Sequence, residues 1–137
     1  MDRTPMLFVR LAPWCDDDDR DLPRHGYGYR PGMTREELED SVRAWWVLSE
    51  PRASMLRFVA AVAAGSIVAV YEIVPGSWRS IDGQRLGKSP RRWAFDVAEA
   101  PADMRARIVG QPVPIRPGGG PLFGSGSVIA YWPGLSR

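Results

Sequence analysis

"RFVAAVAAGSIVAVYEIVPGSW", residues 57–78, decides the fold. Two apolar runs flank Gly65-Ser66, a pair suited to a type II′ hairpin turn. The second run, Ile67 to Val74, is rich in β-branched residues and favours a strand. The first is full of alanine, so a helix ending at Gly65 is the alternative. The hairpin is preferred because Gly65 leads directly into a strong strand, with no room for a longer connection. Alanines in a strand leave space beside them that large rings must fill.

Outward from this hairpin, "MLFVRLAP" (6–13) predicts a first strand, and "WCDDDDRDLPRHGYGYRPGM" (14–33) a long polar loop. Four consecutive aspartates, Asp16 to Asp19, favour an extended, solvated chain. "TREELEDSVRAWWVLS" (34–49) predicts a helix, with Thr34 and Glu37 spaced as a capping box. Leu38, Val42, Trp45 and Trp46 fall on one stripe, Glu39 and Arg43 stand at i, i+4 beside it, and Pro51 stops any continuation. "RSIDGQRLGKSPR" (79–91) is a polar loop, and "RWAFDVAE" (92–99) a strand with Trp93, Phe95 and Val97 on one face. "APADMRARIVG" (100–110) predicts a short helix, with Pro101 suited to its first turn and Gly110 to its stop. "QPVPIRPGGGPLFGSGS" (111–127) is a glycine-rich loop, and "VIAYWPG" (128–134) a closing strand. The order implies one α+β domain over residues 1–137, with its core in 34–132: a small curled mixed sheet or a β-barrel, with two flanking helices.

The net charge of +2 hides an asymmetry. Residues 1–50 carry 11 acidic and 7 basic side chains, a balance of −4. Residues 51–137 carry 5 acidic and 11 basic ones, a balance of +6. Only Lys88 of the 18 basic residues is a lysine. Arginine grips carboxylates and phosphates with two donors and stacks on flat rings, although a GC-rich coding sequence gives the same bias. No apolar run approaches the roughly 20 residues of a membrane helix, and the start has no cleavage-site pattern. The lone Cys15 forms no internal disulfide, which fits a reducing cytoplasm.

Catalytic and metal chemistry find little support. His25 is the single histidine, and zinc needs several nitrogen or sulfur ligands. Cys15 adjoins four aspartates, whose charge works against a thiolate paired with His25. Consecutive aspartates in an extended chain point opposite ways, so a divalent-cation site is disfavoured. "RPGGGPLFGSGS" lacks the phosphate-loop lysine and precedes a strand, not a helix. The expectation is no catalytic residue, no metal and no cofactor.

The remaining constellation is aromatic and basic. Trp78 and Trp93 bracket Arg79, Arg85, Lys88, Arg91 and Arg92, against one acid, Asp82. Such residues hold phosphates by charge and bases by stacking. A basic surface hairpin with both rings in the core is the alternative. In "VRAWWVL" (42–48), Trp45 is placed centrally in the helix stripe, with Trp46 at its margin near Arg43, where it can wall a pocket or simply pack. In "HGYGYRPG" (25–32), Tyr27 and Tyr29 beside Arg30 either cover a pocket or pin the loop.

The arrangement of "TREELEDSVRAWW", "GSIVAVYEI", "RRWAFDV" and "IVGQ" resembles a set of small bacterial proteins. More distantly it is similar to the PUA-like superfamily, with its ASCH and EVE domains, over roughly residues 34–132. That resemblance implies a small β-barrel with flanking helices that binds RNA or DNA, in some members through a flipped, modified base in an aromatic pocket.

The expected function is therefore non-enzymatic nucleic-acid or nucleobase binding. Arg79, Arg85, Lys88, Arg91 and Arg92 track phosphates; Trp46, Trp78 or Tyr71 stacks on a base; Arg43 meets a base edge or a phosphate. The alternative is a protein-interaction module or homodimer, joining the acidic and basic surfaces.

Overall fold

A computed structural model describes residues 5–19, 24–44, 46–47, 55–81, 91–124 and 127–132 (backbone only at 17–19, 24 and 25). Its strands are β1 (Met6–Arg10), β2 (Cys15–Asp19), β3 (Arg24–Tyr27), β4 (Phe58–Ala63), β5 (Ser66–Ile73), β6 (Arg79–Ile81), β7 (Arg92–Ala94), β8 (Val97–Glu99) and β9 (Ile129–Trp132). Its helices are α1 (Arg35–Val42) and α2 (Ala102–Ile108).

The hairpin read from residues 57–78 is present as β4–β5, at the centre of a five-stranded mixed sheet in the order β8-β5-β4-β1-β9. β1 and β4 run parallel; the other neighbours are antiparallel. The α+β class with two helices is as expected. The sheet is open in its strand order, and the described strands form no closed barrel. The turn differs from expectation. Ala63 pairs with Ser66, so the two-residue loop is Ala64-Gly65. Both have positive φ, 51° and 81°, the signature of type I′ rather than type II′. Further along, Ala61 pairs with Ala69 but Val62 with Ile67, which makes Val68 an extra residue in β5. The bulge switches the side-chain alternation, so Ile67 packs on one side of the sheet and Val68 and Ala69 on the other.

Both faces of the sheet carry a core, which explains why all six residues of β4 are buried. On the first face Met6, Phe8, Ala60, Val62, Ile67 and Val70 meet Met104 and Ile108 of α2, with Leu122 and Phe123 from the glycine-rich loop. On the second face Leu7, Val9, Val59, Ala61, Ala69, Tyr71 and Ile73 meet Val42 of α1 and Phe95. Trp46, Trp78 and Trp93 pack at the border of this second core.

Three further segments differ from the sequence expectation. The 14–33 segment is not simply a loop: β2 and β3 pair antiparallel, with Asp16–Asp19 in a strand. Trp14 lies against this hairpin, its indole so near Gly26 that an added Cβ would come within 2.4 Å. The 92–99 strand is broken at Phe95-Asp96: β7 pairs with β6, whereas β8 joins the main sheet. Finally, α1 stops at Val42, and Trp46 is extended rather than helical. Trp45 lies outside the described residues. The closing strand and the short second helix stand where expected, with Pro101 at the N-cap position of α2 and Gly110 at φ 92° beyond its end. No helix of the described chain is long and apolar enough to cross a membrane.

Candidate nucleic-acid interface

The tryptophans meet because α1 hands the chain over to a second, smaller ribbon. Past Val42 the backbone runs beside β7. The Trp46 N–H donates to the Trp93 carbonyl at 2.9 Å, and the Trp93 N–H returns to the Trp46 carbonyl at 2.8 Å. The Phe95 N–H donates to the Arg43 carbonyl at 3.0 Å. On its other side β7 pairs with β6, in the register Arg79↔Ala94, Ser80↔Trp93, Ile81↔Arg92. Residues directly opposite one another share a face. Trp46, Trp93 and Ser80 therefore share one, and Trp78 continues it at the mouth of β6.

Two of the indoles touch, and Trp46 is joined to them through its backbone pairing with Trp93. Trp78 meets Trp93 edge-on, centroids 6.4 Å apart with planes at 73°, and meets Phe95 at 4.9 Å. Phe95 is fully buried and anchors the group to the second core, while the three indoles are half-buried. Trp46 Nε1 donates to the Val42 carbonyl at 2.7 Å, which fixes that ring on the end of α1.

Charge gathers on the same ribbon. Arg43 donates Nε to Asp40 Oδ1 at 2.9 Å and Nη1 to Asp96 Oδ1 at 3.0 Å. Its helical partner is thus Asp40 at i−3. Glu39, the partner expected, accepts instead from Arg35 at 3.1 Å. Arg79 donates Nη1 and Nη2 to Asp96 Oδ1, each at 3.3 Å. Exposed Arg91 donates Nη1 to Ser80 Oγ at 2.9 Å. Arg92 is half-buried opposite Ile81. Strand alternation sets Arg79 and Arg92 on the ribbon face opposite Trp93, although Arg79 still reaches Asp96 at the ribbon's end.

The structure thus brings Arg43, Trp46, Trp78, Arg79, Arg91 and Arg92 onto one small unit. Arg85 and Lys88 lie outside the described residues. Tyr71 stands apart from this group. It sits on β5 in the second core, only 7% exposed, so its ring has no open face for a base. The Tyr71 phenol is pushed up to about 12, chiefly by burial, with the Glu39 carboxylate adding to the rise and Arg35 opposing it. Of the tyrosines after His25, Tyr29 is half-buried against the second core and Tyr27 is exposed. The backbone here is pinned: the Tyr29 N–H donates to the Ala12 carbonyl, and the Gly28 N–H donates to buried Ser41 Oγ at 3.1 Å. Arg30 lies over the Trp14 ring, 4.3 Å from its centroid. The His25 side chain is outside the described residues, and among the described residues no group of three His, Cys, Asp or Glu gathers to hold a metal.

Sequence reasoning passed over Asp40 and Asp96, the acids that organise these arginines. Asp40 had a signal in its i, i+3 spacing to Arg43. Asp96 had a weaker one, an acid inside the apolar run "WAFDV". Comparison with protein-family models, curated proteins and solved structures found no match to this chain.

Proposed function

We propose that this chain is a non-enzymatic module that binds nucleic acid or a nucleobase, with Arg43, Trp46, β6 and β7 as its contact surface. One observation carries the reading: half-buried Trp46, Trp78 and Trp93 share a ribbon with Arg43, Arg79, Arg91 and Arg92. The chain between β6 and β7 adds Arg85 and Lys88 to this basic inventory. Flat rings at the border of a core suit base stacking, and arginines suit phosphates. Tyr71 drops out as a stacking group because it is buried. The PUA-like affiliation belongs to the same proposal and rests on the sequence resemblance over roughly residues 34–132. A reducing cytoplasm is the compartment proposed, from the lone Cys15.

The experiment is fluorescence anisotropy with labelled single-stranded and duplex DNA and RNA, titrated over a range of salt. Binding releases counterions, so log K should fall linearly with log salt. For about four phosphate contacts on a single strand the slope is roughly −3. Trp78→Ala should weaken binding by about 1–3 kcal/mol, the value of one base–aromatic stack. Affinity that is absent, or flat in salt, removes the proposal.

The protein-interaction reading keeps one observation in its favour. Acidic β2 and the basic ribbon are separate elements of the same chain, which gives two copies complementary surfaces to join. A dimer in sedimentation that dissociates at high salt, with no retention of oligonucleotides, would select it.

A further inference from the structure

Asp96 sits where two arginines from different elements converge. Arg43, the C-cap of α1, reaches Asp96 Oδ1 at 3.0 Å, and Arg79, on β6, reaches the same oxygen through both terminal nitrogens at 3.3 Å. These guanidinium groups also donate from Arg43 Nε to Asp40 Oδ1 at 2.9 Å and from Arg79 Nη1 to the Ser77 carbonyl at 3.2 Å.

The backbone at Asp96 is held independently of its side chain. Its N–H donates to Ser77 Oγ at 2.9 Å, and its carbonyl accepts from the Val74 N–H at 2.9 Å. Ser77 Oγ in turn donates to the Val74 carbonyl at 2.6 Å. The carboxylate can therefore leave the arginines without undoing the break between β7 and β8. Its side chain is 51% exposed, whereas Arg43 is 16% exposed. The arginine is fixed in the protein wall, and the anion faces water. Guanidinium groups aimed at one oxygen from two directions also suit a phosphate oxygen. The carboxylate end of the pair is open to water, so an incoming phosphate can reach the guanidinium groups and compete with it.

We propose that Arg43 and Arg79 form a phosphate seat, and that Asp96 fills it as a built-in competitor until a phosphate-bearing ligand takes its place. The nature of that ligand rests on the nucleic-acid reading; the seat itself does not. The exchange makes and breaks no covalent bond.

Asp96→Asn keeps the size of the side chain and removes its charge. By calorimetry with inorganic pyrophosphate, and by anisotropy with a single-stranded oligonucleotide, it should bind about tenfold more tightly than wild type, or 1.4 kcal/mol. Adding Arg79→Gln should cancel the gain, and Asp96→Glu should stay near wild type. In the wild-type background Arg79→Gln should weaken pyrophosphate binding, whereas Arg107→Gln on α2 should not. That comparison decides the matter if Asp96→Asn fails to fold. Affinity of Asp96→Asn at or below wild type for both ligands, or equal effects of the two arginine variants, overturns the seat. Pyrophosphate held by Asp96→Asn while no form binds oligonucleotide keeps the seat and removes the nucleic-acid reading. Salt-dependent oligonucleotide binding indifferent to Asp96 does the reverse.

Discussion

Ala64 carries the clearest conformational tension among single residues. It is the one non-glycine with positive φ in the described chain, at 51°, because the two-residue β4–β5 loop needs left-handed backbone at both positions. A Cβ in that region costs roughly 1–2 kcal/mol. Ala64→Gly should therefore stabilise the protein by about 1 kcal/mol, less the entropy a glycine adds to the unfolded chain. Urea unfolding measures it, and no gain would mean that the turn is relaxed around alanine. The sequence made Gly65 conspicuous, but only the pairing of Ala63 with Ser66 reveals that Ala64 shares its burden. Asp96 is a similar case. Its role depends on Arg43, fifty-three positions earlier, and no local pattern carries that information.

Among the elements, α1 was legible at its start and not at its end. Thr34 Oγ1 accepts from the Glu37 N–H at 3.1 Å, and Glu37 Oε1 accepts from the Thr34 N–H at 2.9 Å. Both bonds of the capping box are therefore present. Thr34→Ala should cost about 1 kcal/mol and lower the melting temperature, read by thermal circular dichroism. The helical apolar spacing runs on through Trp46, so sequence alone continues the helix. Backbone pairing with Trp93 wins instead, since it satisfies two hydrogen bonds and keeps the indole against the second core. The break at Phe95-Asp96 was hidden for a related reason. Trp93, Phe95 and Val97 all face the second core, so their alternation is unbroken while the strand changes sheets. The acidic hairpin was missed because four aspartates argue against pairing, and only contact with the residues from Arg24 to Tyr27 supplies it. The site was legible as an inventory of rings and cations; its acids and its folding into one ribbon were not.

For the whole molecule, stability at high pH follows from Tyr71. Its phenol ordinarily ionises at 10.0 and is pushed up to about 12 in the fold, first by burial. The folded state thus prefers the neutral form more strongly than the unfolded chain does. The associated stability is intact below pH 10 and fades as pH climbs towards 12. Tyr71→Phe, which has no proton to lose, should flatten the stability profile across that interval in denaturant titrations. A wild-type profile already flat there would mean that the phenol is hydrated.

The main sheet has a second consequence at this scale. Its central strands are the common wall of two cores, with β4 buried from end to end. Neither layer can be peeled off without baring the apolar side of the strands that the other layer leans on. Melting should therefore be a single cooperative event, and a proteolytic fragment lacking either helix should not survive as a folded piece.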